Sequence, residues 1–288
     1  MGRDQARPGI AMLTRLLPAR PQKVGPPTAE GASLWPAQRL RLLSFNMQAG
    51  MGIHAPHHYL TRGHRHVLPH PRRHEHLERI AHLIRGYDIV GLQEVDGGSL
   101  RSGYVHQLAH LAERGGFAWW FQQLNRDLGH LGQFSNGLLS RQAPFEAKAY
   151  ALPGLKGRGV ILSRYGTPGH ELLVLNVHLA LSVQTRLQQF AFIAGLIDRA
   201  PHVVIMGDLN CSTTEWMRSA IGQRSWCRLS EAMHTYPSWK PARQIDHILV
   251  SEGLTVHHAA AVDAVLSDHR PLEVELELPP GLYTANAT

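Results

Sequence analysis

Asn46, Glu94, His178, Asp208, Asn210, Asp246, Asp268 and His269 each stand at or beside the end of an apolar run, spread across much of a 288-residue chain. An Asp or Asn that follows a strand is, by itself, a turn former. Repeated at one strand end after another, carboxylates and side-chain amides form a different inventory. Without a set of cysteines they suit a hard, oxygen-preferring cation such as Mg2+ or Mn2+. Histidines beside them supply proton transfer or phosphate contacts near neutral pH. That combination fits phosphoryl chemistry.

Such residues need a rigid frame to bring them together. In VVIMGDLNCS, Val203 to Ser212, the consecutive apolar side chains predict a strand covered on both faces, so Asp208 and Asn210 emerge at the edge of a packed sheet. RLRLLSFNMQAG runs the same way into Asn46, DIVGLQEVD into Glu94 and HELLVLNVHLAL into His178. QIDHILVS and SDHRPLEVELEL set Asp246, Asp268 and His269 beside apolar segments. FAWWFQQL, SNGLLSR and GRGVILSRY read as further strands, with Trp119 and Trp120 in the core. Leu77, Ile80, Leu83 or Ile84, and Tyr87 fall at helical spacing, and YVHQLAHLAERGG is helical too. TRLQQFAFIAGLIDRA predicts an amphipathic helix with Leu187, Phe190, Ala194 and Ile197 along one face.

Residues 1–38 are rich in Pro, Gly and Ala without sustained periodicity and read as a flexible tail. Residues 39–280 then form one domain, followed by a C-terminal tail over 281–288. A composition of 43% hydrophobic and 18% charged residues places the chain among globular proteins with a large core. The formal net charge of +7 favours acidic partners, namely phosphates, nucleic acid or anionic lipid. Cys211 and Cys227 are too few for a disulfide framework, and no apolar run reaches bilayer-spanning length, so the expected location is the cytoplasm. Cys211, although next to Asn210, reads as a buried inert thiol.

LLSFNMQ, IVGLQEVD, LNVHL, IMGDLN, IDHILVS and LSDHRPLEVEL occur in that order between about residues 40 and 278. Together they resemble the motifs of the exonuclease/endonuclease/phosphatase superfamily. The resemblance implies an α/β fold, a four-layer sandwich in which two packed, mostly antiparallel sheets are flanked by helices. It also implies a divalent-metal-dependent hydrolase of phosphodiester or phosphomonoester bonds, using Mg2+ or Mn2+ and in-line attack by an activated water. Glu94 would bind the ion, with Asn46 beside it and Asp268 as a further ligand or a support to one. Asp208 would orient or deprotonate the water, and Asn210 would hold it or a phosphate oxygen. His269 would contact the phosphate, oriented by Asp246, and His178 would stabilise charge on an oxygen. Asn136, in SNGLLSR, matches a substrate-side position. The resemblance leaves open whether Asp208 or the His269/Asp246 pair is the general base.

Within the superfamily, apurinic endonucleases characteristically carry Tyr-x-Pro-Asn where this chain has LNVHLAL, and inositol polyphosphate 5-phosphatases carry Trp-Cys-Asp-Arg where it has RQIDHIL. Both branches are disfavoured. The alternatives are a nuclease acting on DNA or RNA and a non-catalytic phosphate-binding member; intact Glu94, Asp208 and His269 favour an enzyme. The expected partner is a phosphate-ester substrate, with nucleic acid or anionic membrane lipid as its larger forms and no obligate protein partner. A His- and Arg-rich segment from His54 to His76 is either a solvated insertion, an anion-binding lid that adds Arg72 and Arg73 to the substrate contacts, or an adventitious chelator of Zn2+ or Ni2+.

Overall fold

Strands with apolar side chains on both faces need cover on both sides, and this chain supplies it with two sheets and helices outside each. The computed structural model describes residues 22–24, 26–50, 72–127, 132–154, 156–229 and 233–284. Among these, the larger sheet runs β1 (Gln22–Val24), β4 (Trp119–Asp127), β5 (Gln133–Ser140), β3 (Ile89–Asp96), β2 (Arg39–Asn46), β12 (Leu272–Glu277) and β11 (Thr255–Ala261). The smaller sheet runs β10 (Asp246–Val250), β9 (His202–Asp208), β8 (His170–His178), β7 (Gly159–Thr167) and β6 (Glu146–Ala151). Helices α1 (Arg72–Ile84) and α2 (Gln107–Gly115) cover the larger sheet, while α3 (Val183–Ile197) and the short α4 (Thr213–Met217) cover the smaller one. The expected four-layer α/β sandwich is the fold.

β9 illustrates the layering. Val204 and Met206 point between the sheets, where they join Leu40, Leu42, Trp119 and Val274. Val203 and Ile205 point the other way, under α3, with Phe190, Ile193 and Ile197. β2 alternates likewise: Leu43 and Phe45 pack with Leu77, Ile80 and Ile84 of α1. The buried face of α3 is rotated from the one expected from sequence. Arg186, Gln189, Phe190, Ile193 and Ile197 are buried, while Leu187 is 43% exposed.

Most neighbouring strands are antiparallel, but β2 pairs with β3 and β8 with β9 in parallel. Each parallel pair needs a crossover, provided by α1 in one case and α3 in the other. Like strand ends therefore fall together in each sheet. β12 and β10 run antiparallel to β2 and β9, so the residues that open them lie beside those same ends.

Both proposed tail boundaries move outward. Trp35 is 2% exposed, its ring 5.2 Å from that of Tyr165, and its backbone bonds to Leu282 and Thr284. Ser33 pairs with Gly166, and β1 adds an edge to the larger sheet. Trp35 and Leu282 are isolated apolar anchors that close the inter-sheet core, and isolated anchors carry no periodicity to reveal them. β6 and β11 were likewise not anticipated. Both are edge strands, and their partly exposed sequences EAKAYA and TVHHAAA carry mostly alanine where a strand would show large apolar residues. No helix among the described residues is long and apolar enough to cross a membrane.

Candidate active site

The ends of β2, β3, β8 and β9 and the starts of β10 and β12 converge at one edge of the sandwich, and local backbone features aim their polar residues there. At the end of β9, Gly207 has φ 146°, and a Cβ on it would lie 2.0 Å from the Val177 carbonyl oxygen. Glycine is therefore required for β9 to approach β8 as it turns into Asp208. In β3 the register slips between Leu92 and Val95, and Glu94 within this bulge has φ 57°. Asn210 has φ 52°. Non-glycine residues held in this region are uncommon and concentrate where side chains must be re-aimed.

One amide joins the two sheets' acids. Asn46 Nδ2 donates to Asp208 Oδ2 at 3.1 Å and lies 3.4 Å from Glu94 Oε1. Its Oδ1 accepts the Gln48 backbone N–H at 3.2 Å, and Gln48 Nε2 donates to Asp268 Oδ2 at 3.2 Å. Ser267 Oγ donates to the Asn46 carbonyl at 2.6 Å and accepts the His269 N–H at 3.0 Å. His269 Nδ1 sits 2.8 Å from Asp246 Oδ2, which also accepts from Thr235 Oγ1 at 2.5 Å. His178 Nε2 lies 3.5 Å from Asp208 Oδ2, and the Asn210 N–H donates to Asp208 Oδ1 at 2.9 Å. Asn46, Glu94, His178, Asp208, Asn210, Asp246, Asp268 and His269 are thus brought into one cluster.

Burial sets the charge states. Removal from water, and then the neighbouring Asp246 carboxylate, push the Asp208 carboxyl well up. Burial and then Asp268 raise Glu94. Burial disfavours a charged His269, yet Asp246, then Asp208 and Asp268, more than offset it and hold the ring's pKa well above the ordinary histidine value. For His178, burial and then the charges of Arg158 and His269 act together, and its pKa falls well below. The two imidazoles are driven in opposite directions, His269 toward its protonated form and His178 toward its neutral one.

A cleft of about 440 Å³ opens from this edge, lined by Glu94, Asn136, His178, Arg126, Lys156 and Arg158, among others. Asn136 is fully buried and donates to the Gly159 carbonyl at 3.0 Å, and its Oδ1 has no hydrogen-bond partner among the described residues. Arg158 forms no ion pair among the described residues. Arg73 is 7% exposed on α1 and is not among the residues lining the cleft. The rest of the expected lid, His54 to His70, lies outside the described residues, as does the side chain of Arg72. Cys211 is buried, which pushes its thiol up to about 12 and leaves it inert.

Several residues of the site were not singled out from sequence. Gln93 Nε2 donates to Asn176 Oδ1 at 2.7 Å, and Asn176 Nδ2 donates to the Leu92 and Gly137 carbonyls at 3.1 and 2.8 Å. This fully buried amide pair clasps the sheets directly beneath the acids. Gly91 permits the approach, since a Cβ there would come within 2.8 Å of Met206 and 3.0 Å of Asn176. A polar residue inside an otherwise apolar strand, as in LVLNVHL, is the signal that marks Asn176. Gln48, Thr235 and Arg158 carry no such signal, because each reaches the site from outside an apolar run.

A two-sheet sandwich with acids, amides and histidines gathered at one edge belongs to a recognised class. The Endonuclease/Exonuclease/phosphatase family model matches residues 43–269, and the chain belongs to this family. Solved structures agree on the fold. An endonuclease/exonuclease/phosphatase from Beutenbergia cavernae is 22% identical, with 85% of this chain and 73% of that one covered and a TM-score of 0.64. A Bacteroides thetaiotaomicron mannosyl-6-phosphatase is 16% identical, with coverages of 82% and 99% and a TM-score of 0.62. The human Nocturnin catalytic domain with bound sulfate is 18% identical, with coverages of 87% and 97% and a TM-score of 0.60. No curated protein sequence matches the chain. The family consists of phosphoester hydrolases that generally depend on divalent metal, and Asp208, Asp246 and His269 offer ligand atoms within 4.8 Å of one another.

Proposed function

We propose that this protein hydrolyses phosphate esters, phosphodiesters foremost, with a divalent cation held by Glu94 and Asp268 and a water activated by Asp208. The observation that carries the reading is the Asn46 amide placed between Glu94 and Asp208, which ties an acidic half of the site to a proton-transferring half. The donor set suits Mg2+ or Mn2+: carboxylate oxygens of the partly buried Glu94, raised by desolvation and by Asp268, and of the buried Asp268 would gain from a cation between them. Asn46, set beside the ion by the resemblance, directs its N–H groups at the carboxylates and its Oδ1 at Gln48, an arrangement suited to orienting the ligands. The bound ion would neutralise charge accumulating on the phosphoryl oxygens.

The charge states assign the remaining roles. The carboxylates around His269 favour its protonated form, which suits it to a cationic contact with a phosphate oxygen, fixed by Asp246. That leaves Asp208 as the general base, its basicity raised by burial. Asn210 positions the water, and neutral His178 hydrogen-bonds to an oxygen at the reacting phosphorus. Asn136 and Arg158 meet the remainder of the substrate. A nuclease is the second reading, favoured by Arg126 and Lys156 along the same cleft, where a continuing phosphate backbone would find cations.

The test is a panel of phosphomonoesters, phosphodiesters, DNA, RNA and anionic lipid vesicles, assayed after EDTA treatment and after adding back Mg2+ or Mn2+. Hydrolysis of at least one ester should disappear and return. Full activity in metal-free buffer contradicts the reading.

A further inference from the structure

A second cluster of metal-ligating side chains lies on the outer helical layer. His74 and Glu78 are one helical turn apart on α1 and share a face, and His110 of the neighbouring α2 meets them. Glu78 Oε1 is 2.8 Å from His110 Nε2 and 3.9 Å from His74 Nε2, and the three ligand atoms all lie within 4.8 Å of one another. Bonds of about 2.0–2.1 Å to a tetrahedral Zn2+ place ligand atoms roughly 3.3 Å apart, between the two spacings found here. His74, largely exposed, would close in and the Glu78–His110 pair would open slightly. Arg114 Nε and Nη2 hold the other Glu78 oxygen at 3.0 and 2.9 Å, fixing the carboxylate plane as an outer hydrogen bond does for a metal ligand.

From this geometry we infer that His74, Glu78 and His110 form a second metal site, for a borderline-soft divalent ion such as Zn2+, that staples α1 to α2. Two imidazoles and one carboxylate disfavour Mg2+ and favour Zn2+, Ni2+ or Cu2+. The site is therefore chemically orthogonal to the oxygen-rich strand ends. It is also connected to them: α2 donates from Gln107 Nε2 to the Ala49 carbonyl at 2.9 Å, and Gln107 Oε1 accepts the Asp96 N–H at 2.8 Å. Those partners are close in sequence to Gln48 and Glu94. A staple between the helices would steady the loop and the bulge that carry these two residues.

The competing account is an Arg114–Glu78–His110 ion-pair network that binds no metal. Calorimetric titration of the full-length, metal-stripped protein with Zn2+ decides between them, with saturating Mg2+ present to keep the strand-end carboxylates occupied. The wild type should bind one equivalent more than the His74→Ala/His110→Ala double variant, and Zn2+ should raise the Tm of the wild type more than that of the variant. Glu78→Gln should weaken that equivalent by about tenfold or more. Hydrolysis at saturating Mg2+ should be the same in all three. Identical stoichiometry and an identical Zn2+-induced Tm shift in the double variant would overturn the inference and leave any bound Zn2+ to other groups, the histidines of residues 54–70 or the Asp208, Asp246 and His269 cluster.

Discussion

The β2–α1–β3 and β8–α3–β9 crossovers are built alike: each lays two strands in parallel and ends both at the same edge of the sandwich. Their strand ends differ in chemistry. The first delivers Asn46 and Glu94, with Asp268 beside them at the approach to β12, the set proposed to hold and orient a cation. The second delivers His178 and Asp208, with Asp246 and His269 adjacent, a set whose pKa values are driven apart. On the proposed reading, the difference shows how a fold with two similar halves would separate charge neutralisation from proton transfer while keeping both within reach of one amide, Asn46.

The comparison is broken most severely on the proton side. Asp208→Asn should lower kcat by about 10²-fold or more at saturating metal, the usual scale for a positioned base, with little change in the metal concentration needed. A kcat within a few-fold of wild type would remove Asp208 from the chemistry. The pH profile sharpens the same half. Asp208 must be deprotonated to act, so kcat/KM should rise with pH through an acid limb centred at or below about 7, lower when a cation is bound. His269 must keep its proton, so activity should fall again above its raised pKa. His269→Gln should remove that alkaline fall, and an unchanged profile would refute its cationic role.

Smaller effects test the supports. Asp246→Asn leaves His269 in place but weakens its orientation, and should cost kcat about tenfold, less than Asp208→Asn does. Asn176→Ala removes one partner of the buried inter-sheet clasp and should destabilise the protein by about 1–3 kcal/mol in urea unfolding. Unchanged stability there would mean that the sheets do not depend on the amides to hold the two halves in register. Arg158→Gln should raise KM for anionic esters several-fold and leave kcat nearly intact, since the guanidinium lines the cleft beside the reacting cluster.

Much of this was legible in the sequence for a physical reason. A strand covered on both faces announces itself by continuous apolar residues, so the polar residue that ends it stands out, as Asp208 does after Val203 to Met206. The buried face of α3 was misplaced because Arg186 and Gln189, polar by type, are buried through bonds that sequence does not display: Arg186 to Glu215 and to the Ala180 and Leu181 carbonyls, Gln189 to the Pro153 carbonyl. Thr235 and Gln48 escaped notice for a similar reason, since their importance lies in long-range partners, Asp246 and Asp268. Trp35 and Leu282 were assigned to tails because single anchors have no period.

The central claim is the division of labour between the two crossovers, and in particular that the cation sits at Glu94 and not among Asp208, Asp246 and His269. The direct measurement is an Mg2+ titration of hydrolysis in wild type, Glu94→Gln and His269→Gln. The account predicts that Glu94→Gln shifts the Mg2+ midpoint to higher concentration by about tenfold or more, while His269→Gln lowers the plateau and leaves the midpoint in place. A midpoint that moves in His269→Gln and stays fixed in Glu94→Gln would contradict it.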